Sequence, residues 1–366
     1  MSKYFLTDTA VKMFCPGNVI KLDYAGLPSI MVYIPKFKNS DVLAGGDDNT
    51  HPAFIVNDTE IDGFYYSKYQ NVVYNGKAYS LPGEDVPTTM SFNKAIECSE
   101  AKGYGWHLST NAEWAAVALW CKANGFLPYG NNDFGKDARE SGYKAIPTQH
   151  NADGTIAAVA TGTGPVTWSH DRTASGIWDM NGNVAEFQGG VRIVWGELQI
   201  IANNDAADPD NPQNSTSACW KAINAADGSL VTPESKTTDT AAILTGHTIR
   251  LDLIGKAWTY CTTVTNPSAT FFTSKFNELA CTADISTAAK NLLRSLALLP
   301  EEGASESDYE GDTVYINRTE KEYILYRGGT SKAGTVSGIF NCSFAIRPDA
   351  SVAFSGFRAA YIPDII

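Results

Sequence analysis

The most constraining feature of the chain is a frame near its C-terminal end. Residues 327–329 read Arg-Gly-Gly and residues 356–358 read Gly-Phe-Arg, and between them stand mostly small, uncharged residues without a sustained period. A glycine pair relaxes the steric limits on the backbone, while Phe357 and Arg358 can anchor a returning strand by packing and by forked hydrogen bonding. Side chains between two such anchors can vary with little effect on a core. The pattern therefore favours a binding surface over a catalytic site.

Composition excludes several classes of protein. The 366 residues are 43% hydrophobic, which suits a folded chain with one large core or two ordinary ones. A net charge of −12 repels nucleic-acid phosphates and anionic lipid. The start of the chain has no basic stretch followed by an apolar one, and no run approaches the about 20 apolar residues that cross a bilayer. We expect a soluble protein without a cleaved export signal, without a nucleic-acid partner and without membrane insertion.

The cysteines indicate a reducing compartment. There are seven, an odd number, and they are dispersed without a Cys-x-x-Cys pair. This arrangement favours free thiols over a disulfide or zinc framework.

Local patterns predict an α+β chain. Ser29–Phe37 is rich in β-branched residues and predicts a buried strand. Ser91–Lys102 predicts a helix capped by Ser91, and Glu113–Lys122 predicts a second one capped by Thr110 or Asn111. The apolar and aromatic residues of the second helix recur at helical spacing, which indicates core packing rather than a ligand site.

The composition changes between about residues 203 and 322. Asn203–Thr216 is polar and turn-rich, and a convincing helix follows at Thr287–Leu299, with a stripe of four leucines. We interpret this stretch as an insertion that decorates the main domain. The leucine stripe favours packing within the chain, although contact with a neighbouring subunit is the alternative.

A short polar segment lies at Gly176–Phe187. It concentrates Asp, Asn and Glu residues that can satisfy the turn's own backbone through side-chain hydrogen bonds. Asn183 and Glu186 can also offer oxygen atoms to a hard cation such as calcium. The structural turn is the preferred interpretation; a structural calcium at Asn183 and Glu186 is the alternative, and no other cofactor is expected.

Several short motifs, taken together and in order, resemble formylglycine-generating-enzyme-type domains, a branch of the C-type lectin fold. The motifs are MVYIPKF at 31–37, HPAF at 51–54, GWHLSTNAEW at 105–114, YGNNDFG at 129–135, GIWDMNGNVAEF at 176–187, RGG at 327–329 and GFR at 356–358. Within that superfamily the chain is most similar to the variable proteins of diversity-generating retroelements. The resemblance implies an N-terminal extension at 1–23, a C-type lectin-like domain at 24–366 with the insertion at about 203–322, and a variable region at 327–358.

Such variable proteins are often phage receptor-binding proteins or bacterial surface proteins, whose C-terminal region is diversified by adenine-directed mutagenesis and binds the ligand. The resemblance therefore implies a non-enzymatic phage or prophage receptor-binding or adhesion protein, made in the bacterial cytoplasm and carried on the virion. A bacterial surface adhesin is the alternative. The expected partner is a protein or glycan on a cell surface, and the protein is expected to act as a homo-oligomer or virion component.

Eleven positions are candidates for variation, and seven others are expected to be scaffold. The candidates are Thr330, Ser331, Ala333, Thr335, Asn341, Ser343, Ala345, Ile346, Ala350, Val352 and Phe354. The scaffold positions are Gly334, Gly338, Phe340, Pro348, Gly356, Phe357 and Arg358. Randomised adenines in AAC or AAT codons never yield Lys, Glu, Gln, Met or Trp, and residues 330–355 contain only Lys332 from that set. An ordinary terminal hairpin is the competing interpretation.

The resemblance also suggests an enzymatic alternative, a formylglycine-generating-type oxidase. Those enzymes bind copper through a pair of cysteines shortly after the Gly-Gly element. Here Cys342 is the only cysteine between Arg327 and Arg358. One thiolate does not reproduce a two-thiolate site for a soft metal, and the five histidines show no ligand spacing. No catalytic residue is predicted.

Overall fold

A computed structural model describes residues 5–318 and 320–363; residues 1–4 of the expected extension, Thr319 of the expected insertion and residues 364–366 of the expected domain lie outside the described residues. The predicted mixed α+β class is confirmed. The helices are α1 Phe5–Phe14, α2 Asn39–Val42, α3 Phe92–Glu100, α4 Asn111–Ala123 and α5 Thr287–Ser295. Within these described ranges, no helix has both the length and the apolar composition that membrane crossing requires.

Strands make up most of the regular structure. The first half of the chain contains β1 Asn18–Leu22, β2 Pro28–Pro35, β3 Ile55–Val56, β4 Thr59–Glu60, β5 Gly63–Ser67, β6 Val72–Tyr74, β7 Lys77–Tyr79, β8 Thr89–Met90, β9 Trp106–Leu108, β10 Pro147–His150, β11 Ile156–Val159 and β12 Ala185–Val194. The second half contains β13 Glu197–Ile200, β14 Lys221–Ile223, β15 Leu230–Val231, β16 Thr245–Ile254, β17 Ala257–Thr263, β18 Phe271–Lys275, β19 Ala280–Cys281, β20 Thr313–Asn317, β21 Tyr323–Arg327, β22 Cys342–Ile346, β23 Val352–Ala353, β24 Ser355–Phe357 and β25 Ala359–Tyr361.

Two sheets organise these strands. A five-stranded sheet has the order β1-β2-β5-β25-β9, and a twelve-stranded sheet follows the path β18-β20-β22-β21-β12-β13-β16-β17-β19, with β14, β15 and β24 attached beside it. Strand β24 pairs in parallel with β12 of the larger sheet, whereas β25 lies between β5 and β9 of the smaller one. The C-terminal strands therefore join the two sheets.

Two expected boundaries fall inside these sheets. Strand β1 belongs to the expected extension at 1–23, yet it pairs along its whole length with β2. The expected insertion at about 203–322 supplies β14 to β20, all of them strands of the twelve-stranded sheet. Residues 203–322 thus build part of the sheet that carries the C-terminal segment.

The two predicted helices in the first half have the predicted caps. The Ser91 hydroxyl accepts a hydrogen bond from the Lys94 amide at the start of α3. Thr110 caps α4: its hydroxyl accepts from the Glu113 amide and the Glu113 carboxylate accepts from the Thr110 amide. This reciprocal pair satisfies two amides that a helix start leaves free. Helix α4 is buried on nearly every side, as its apolar spacing predicts.

Helix α5 ends at Ser295, four residues earlier than the leucine stripe predicts. Beyond it Ala297 has φ +49°, in the left-handed region, which stops the helix. The carbonyls of Leu296 and Ala297 accept hydrogen bonds from the buried guanidinium of Arg327. A cation at a helix C-terminus is favourable, because the free carbonyls there are negative. The leucines still enter the core: Leu293, Leu296 and Leu299 are buried and Leu292 packs against them.

Candidate ligand-binding surface

The closing anchor of the C-terminal segment is a buried ion pair. Arg358 has no solvent exposure, and its Nε and Nη2 atoms lie 2.8 and 3.0 Å from the two carboxylate oxygens of Glu186. The same guanidinium donates to the carbonyls of Ser67, Lys68 and Trp178. Burial raises the pKa of Glu186, and the charge of Arg358 opposes that rise. The Arg358 guanidinium therefore fixes the end of the segment to three parts of the chain, at residues 67–68, 178 and 186.

The opening anchor is Arg327, which is also fully buried. Its Nε donates to the Asn111 side-chain oxygen at 2.8 Å, and its Nη2 donates to the carbonyls that end α5. Gly329 follows at φ +70°, where a Cβ atom would lie 2.0 Å from the Ser337 hydroxyl. Only glycine fits both the left-handed backbone and this close approach. Both ends of the frame are thus held by interior contacts.

Between the anchors, most candidate positions keep access to solvent. Thr335 is exposed, and eight others are half-buried, namely Thr330, Ala333, Asn341, Ala345, Ile346, Ala350, Val352 and Phe354. The expected scaffold residues Phe340, Phe357 and Arg358 are at most 1% exposed. Nine of the eleven candidate positions are therefore accessible to solvent, although they do not all lie on one strand. Two of the seven expected scaffold positions, Gly334 and Pro348, are also half-buried.

Two candidate positions lie inside the protein. Ser331 is 1% exposed, and its hydroxyl donates to the Ala157 carbonyl at 2.5 Å. Ser343 is 4% exposed and lies in β22. A small hydroxyl side chain suits both a surface and a packed position, so sequence alone could not separate these two from the rest. In this structure Ser331 belongs with the supporting residues, and Ser343 is the covered member of its strand face.

Two candidate positions of β22, Ser343 and Ala345, lie on one face of a sheet that residues 203–322 extend. Across four strands Thr273, Tyr315, Ser343 and Tyr326 stand in register, from the exposed edge strand β18 towards β21. Thr273 is exposed and both tyrosines are half-buried. Because side chains alternate along a strand, Phe271, which is 62% exposed, lies on this same face. We call Phe271, Thr273, Tyr315, Asn341, Ser343, Ala345 and Tyr326 the outer sheet face.

Sequence reasoning missed Phe271, Thr273 and Tyr315 because it treated residues 203–322 as decoration. The available signal was alternation: Thr313–Asn317 reads TVYIN, and its Val and Ile are buried while its other three side chains are not. An alternating segment of this kind needs a covered face and leaves the other one open.

A second patch adjoins the loop after the Gly-Gly pair. The ammonium of Lys332 lies 4.2 Å from the ring centroid of Phe354, which links the loop to the segment before β24. Phe354 has φ +63°, uncommon for a residue with a side chain. Its amide donates to the Thr88 carbonyl at 2.6 Å and its carbonyl accepts from the Ala185 amide at 2.9 Å. These two hydrogen bonds hold the aromatic ring in place at the surface.

Asp312 of the insertion anchors the corner that leads into β22. One carboxylate oxygen accepts hydrogen bonds from the Phe340 and Asn341 amides at 2.7 and 3.1 Å. Gly338 packs against the other oxygen, where a Cβ atom would approach to 2.3 Å. Burial raises the pKa of Asp312 to about 8, and the negative charge of Glu310 adds to the rise. The corner is therefore held by a carboxyl group that binds a proton far more readily than an exposed aspartate.

Asp312 predicts a measurable pH dependence of stability. Folding raises the pKa of the Asp312 carboxyl group. The protonated carboxyl therefore stabilises the folded state fully below about pH 4, and this stabilisation is lost as the pH rises through about 8. Asp312→Asn keeps an accepting oxygen but does not titrate. We expect its free energy of unfolding to rise by about 1 kcal/mol or more relative to that of the wild type as the pH is raised from 5 to 8. Denaturant unfolding at each pH measures the difference. The exposed control Asp210→Asn should show no such gain, and equal pH profiles of Asp312→Asn and wild type would contradict the prediction.

The two calcium candidates are engaged with protein partners. The Asn183 side-chain oxygen accepts from the Asn131 side chain and from the Val159 amide, and its nitrogen donates to Gln70 at 2.9 Å. Glu186 accepts from Arg358 and from Gln70. A cation here would have to displace these hydrogen bonds. In the ranges that the structure describes, no cluster of three or more His, Cys, Asp or Glu residues is arranged to hold a metal ion.

The groups that an oxidase would use are buried. Cys342 is 1% exposed, and burial raises the pKa of its thiol to about 11. Burial also lowers the pKa of His51 and His170 to about 4. His107 is buried, with its Nε2 2.8 Å from a Glu113 carboxylate oxygen. At neutral pH the thiol is therefore protonated, and His51 and His170 are neutral and enclosed.

Comparison with known proteins gives similarity at the level of structure. No family model and no curated protein matches the chain. The chain is similar to PvdO from Pseudomonas aeruginosa, with 14% identity and a TM-score of 0.37 over 94% of this chain and 98% of PvdO. It is also similar to the Major Tropism Determinant P3c variant, with 11% identity and a TM-score of 0.30 over 94% of this chain and 71% of that chain. These TM-scores are too low to transfer any residue's role to this chain.

Proposed function

We propose that the protein is a non-enzymatic ligand-binding protein that presents its segment 330–354 as a diversified surface. Its role would be that of a receptor-binding or adhesion protein of a phage or prophage, carried on the virion. The ordered motifs at 31–37, 105–114 and 176–187 and the Arg-Gly-Gly and Gly-Phe-Arg frame support this proposal.

One observation carries the proposal. Arg327 and Arg358 have no solvent exposure, whereas nine of the eleven candidate side chains between them keep access to solvent. Binding residues are commonly found on segments that a rigid scaffold positions. Such a frame tolerates substitutions at the accessible candidate positions, because the interior contacts that hold the segment are made by Arg327 and Arg358 instead.

The chemistry of the surface suits a protein or glycan partner. The outer sheet face combines two tyrosines and a phenylalanine with Thr, Ser, Asn and Ala side chains. Tyrosines supply large contact area with few rotatable bonds, and small polar residues supply adaptable hydrogen bonds. The net charge of −12 disfavours a nucleic-acid partner. Several copies on one particle would raise a weak single-site affinity through effective concentration.

Sequencing tests the diversified part of the proposal. We expect the gene to lie near a reverse-transcriptase gene and a near-copy of the segment that encodes residues 330–354, differing from it at adenines. In a propagated population, codon changes should concentrate at the nine solvent-accessible candidate positions. The codons of the β16–β17 hairpin serve as the internal control. A uniform spread of changes over both segments, or the absence of the near-copy, would overturn diversification.

A matched pair of variants tests the binding surface. Thr335→Lys with Ala345→Lys places two bulky charges among the candidate positions, and Thr245→Lys with Thr263→Lys places them on the exposed start and end of the β16–β17 hairpin. We expect the first variant to bind host cells at least about tenfold more weakly, because interface contacts are lost and charges are desolvated. The second should bind as the wild type does. Equal binding by both variants would contradict the proposed surface.

A further inference from the structure

Two adjoining cavities form a trough beside the C-terminal frame. The larger has a volume of about 590 Å³ and the smaller about 340 Å³. Ser215, Thr216, Thr237 and Thr238 line both cavities, so the two adjoin at these residues. Arg347, at one end, is inside the frame but is not among the candidate varying positions. The size of the trough is within the range of small-molecule sites, and its two lobes suit an elongated ligand.

The floor of the trough is rigid. Arg192 is 4% exposed, lies 2.6 Å from the Glu322 carboxylate and stacks 4.3 Å from the centre of the Trp220 ring. Its Nη1 also donates to the Ser215 carbonyl at 3.2 Å, and the Thr237 hydroxyl donates to the same carbonyl at 3.1 Å. These hydrogen bonds link the segments that contain Ser215 and Thr237 to each other and to Arg192 of strand β12. A ligand would meet a preformed site, which lowers the entropy lost on binding.

The trough has an excess of positive charge in a strongly acidic chain. Five basic side chains line it against three acidic ones: Arg192, Lys221, Lys236, Lys321 and Arg347 against Glu320, Glu322 and Asp349. The two arginines lie within 4 Å of those acids. The three lysines have no ion pair within the part of the chain that the structure describes. Their charge is therefore available to an anionic ligand.

The remaining lining is rich in hydroxyl and amide groups. Asn93, Gln213, Asn214 and Thr216 line the larger lobe, and Ser235 lines the smaller one. Ser235 is 2% exposed, and its hydroxyl oxygen has no hydrogen-bond partner among the described residues. Its amide and carbonyl are fixed by Glu197 and Gln199 at 3.0 and 2.8 Å.

We propose that this trough binds an acidic oligosaccharide, with its sugar hydroxyls paired to the Ser, Thr and amide side chains and its carboxylates near Lys236 and Lys321. A carboxylated sugar chain fits because it combines many hydroxyl donors and acceptors with negative charge. The site uses none of the eleven candidate positions, so this inference does not rest on the proposed function. The protein would hold one glycan at a constant site beside a surface that changes.

The test titrates the full chain with hexagalacturonate, and with maltohexaose as the neutral comparison. We expect saturable binding of hexagalacturonate that weakens as salt is added, and binding of maltohexaose at least about tenfold weaker. Lys236→Gln with Lys321→Gln should weaken hexagalacturonate binding by about tenfold or more. The control pair Lys144→Gln with Lys256→Gln removes the same charge from exposed sites elsewhere and should leave binding within about twofold.

Two further variants keep the inference falsifiable. Thr238→Trp fills the region shared by the two lobes from an exposed position and should abolish binding, whereas Thr245→Trp on the β16–β17 hairpin should not. The inference is overturned if hexagalacturonate does not bind, if maltohexaose binds equally well, or if Thr238→Trp binds as the wild type does.

Discussion

Replacing Arg358 by Ala is expected to lower the free energy of unfolding by about 3–5 kcal/mol. The substitution removes the partner of Glu186, a carboxylate that is 1% exposed, and it frees the carbonyls of Ser67 and Lys68 from their donor. An unpaired charge in the interior is far more destabilising than an absent pair, because its desolvation is no longer offset. Denaturant unfolding followed by tryptophan fluorescence measures the loss.

The control for this prediction is a double variant. Glu186→Gln with Arg358→Met removes both charges and keeps most of the volume, so it should recover a substantial part of the stability that Arg358→Ala loses. Recovery should be incomplete, since the carbonyls that Arg358 satisfies remain without a donor. If the single and double variants are equally destabilised, the ion pair is not the reason for the effect.

Replacing Trp114 by Ala is expected to have a comparable effect, about 3–5 kcal/mol. Trp114 is fully buried in α4, and its indole nitrogen donates to the Ile339 carbonyl at 2.7 Å. The variant leaves a large cavity and also frees the chain just before β22. We therefore expect a loss of stability together with faster hydrogen exchange at residues 338–341, measured by mass spectrometry.

Trp114→Phe separates the two contributions. It keeps most of the ring volume but removes the donor to Ile339, so we expect about 1–3 kcal/mol of destabilisation. Exchange at residues 338–341 should still increase, because the lost hydrogen bond is the direct link between α4 and this corner. Protected amides there in Trp114→Phe would show that packing alone holds the corner.

Elements with local signals could be predicted from the sequence. Helix α4 follows from its apolar spacing and from Thr110 and Glu113, which stand three residues apart as a reciprocal cap requires. The strand at 28–35 follows from its β-branched residues. The anchoring role of Arg358 follows from its guanidinium, whose several donors suit forked hydrogen bonding at the end of the Gly-Phe-Arg motif. Each of these signals acts over a few residues.

Features that depend on distant partners could not be predicted in the same way. Strand β20 pairs with β22 in parallel, and nothing within Thr313–Asn317 specifies that neighbour. The carbonyls at the early end of α5 bind Arg327, which comes 32 residues after Ser295 in the chain. Asp312 reads as one of many surface acids until its two amide donors at 340 and 341 are known. Ser331 and Ser343 are similarly ambiguous, because burial of a serine depends on which strand or loop covers it.

The position of the closing strands in the chain affects how the protein is made. Neither sheet is complete until β24 and β25 have left the ribosome, because both lie after residue 354. The nascent chain must therefore carry unpaired strand edges through most of its synthesis, a condition that invites aggregation or chaperone binding. Translation that stops inside the segment 330–354 would yield chains that lack β24 and β25, so that strands of both sheets would remain without their partners.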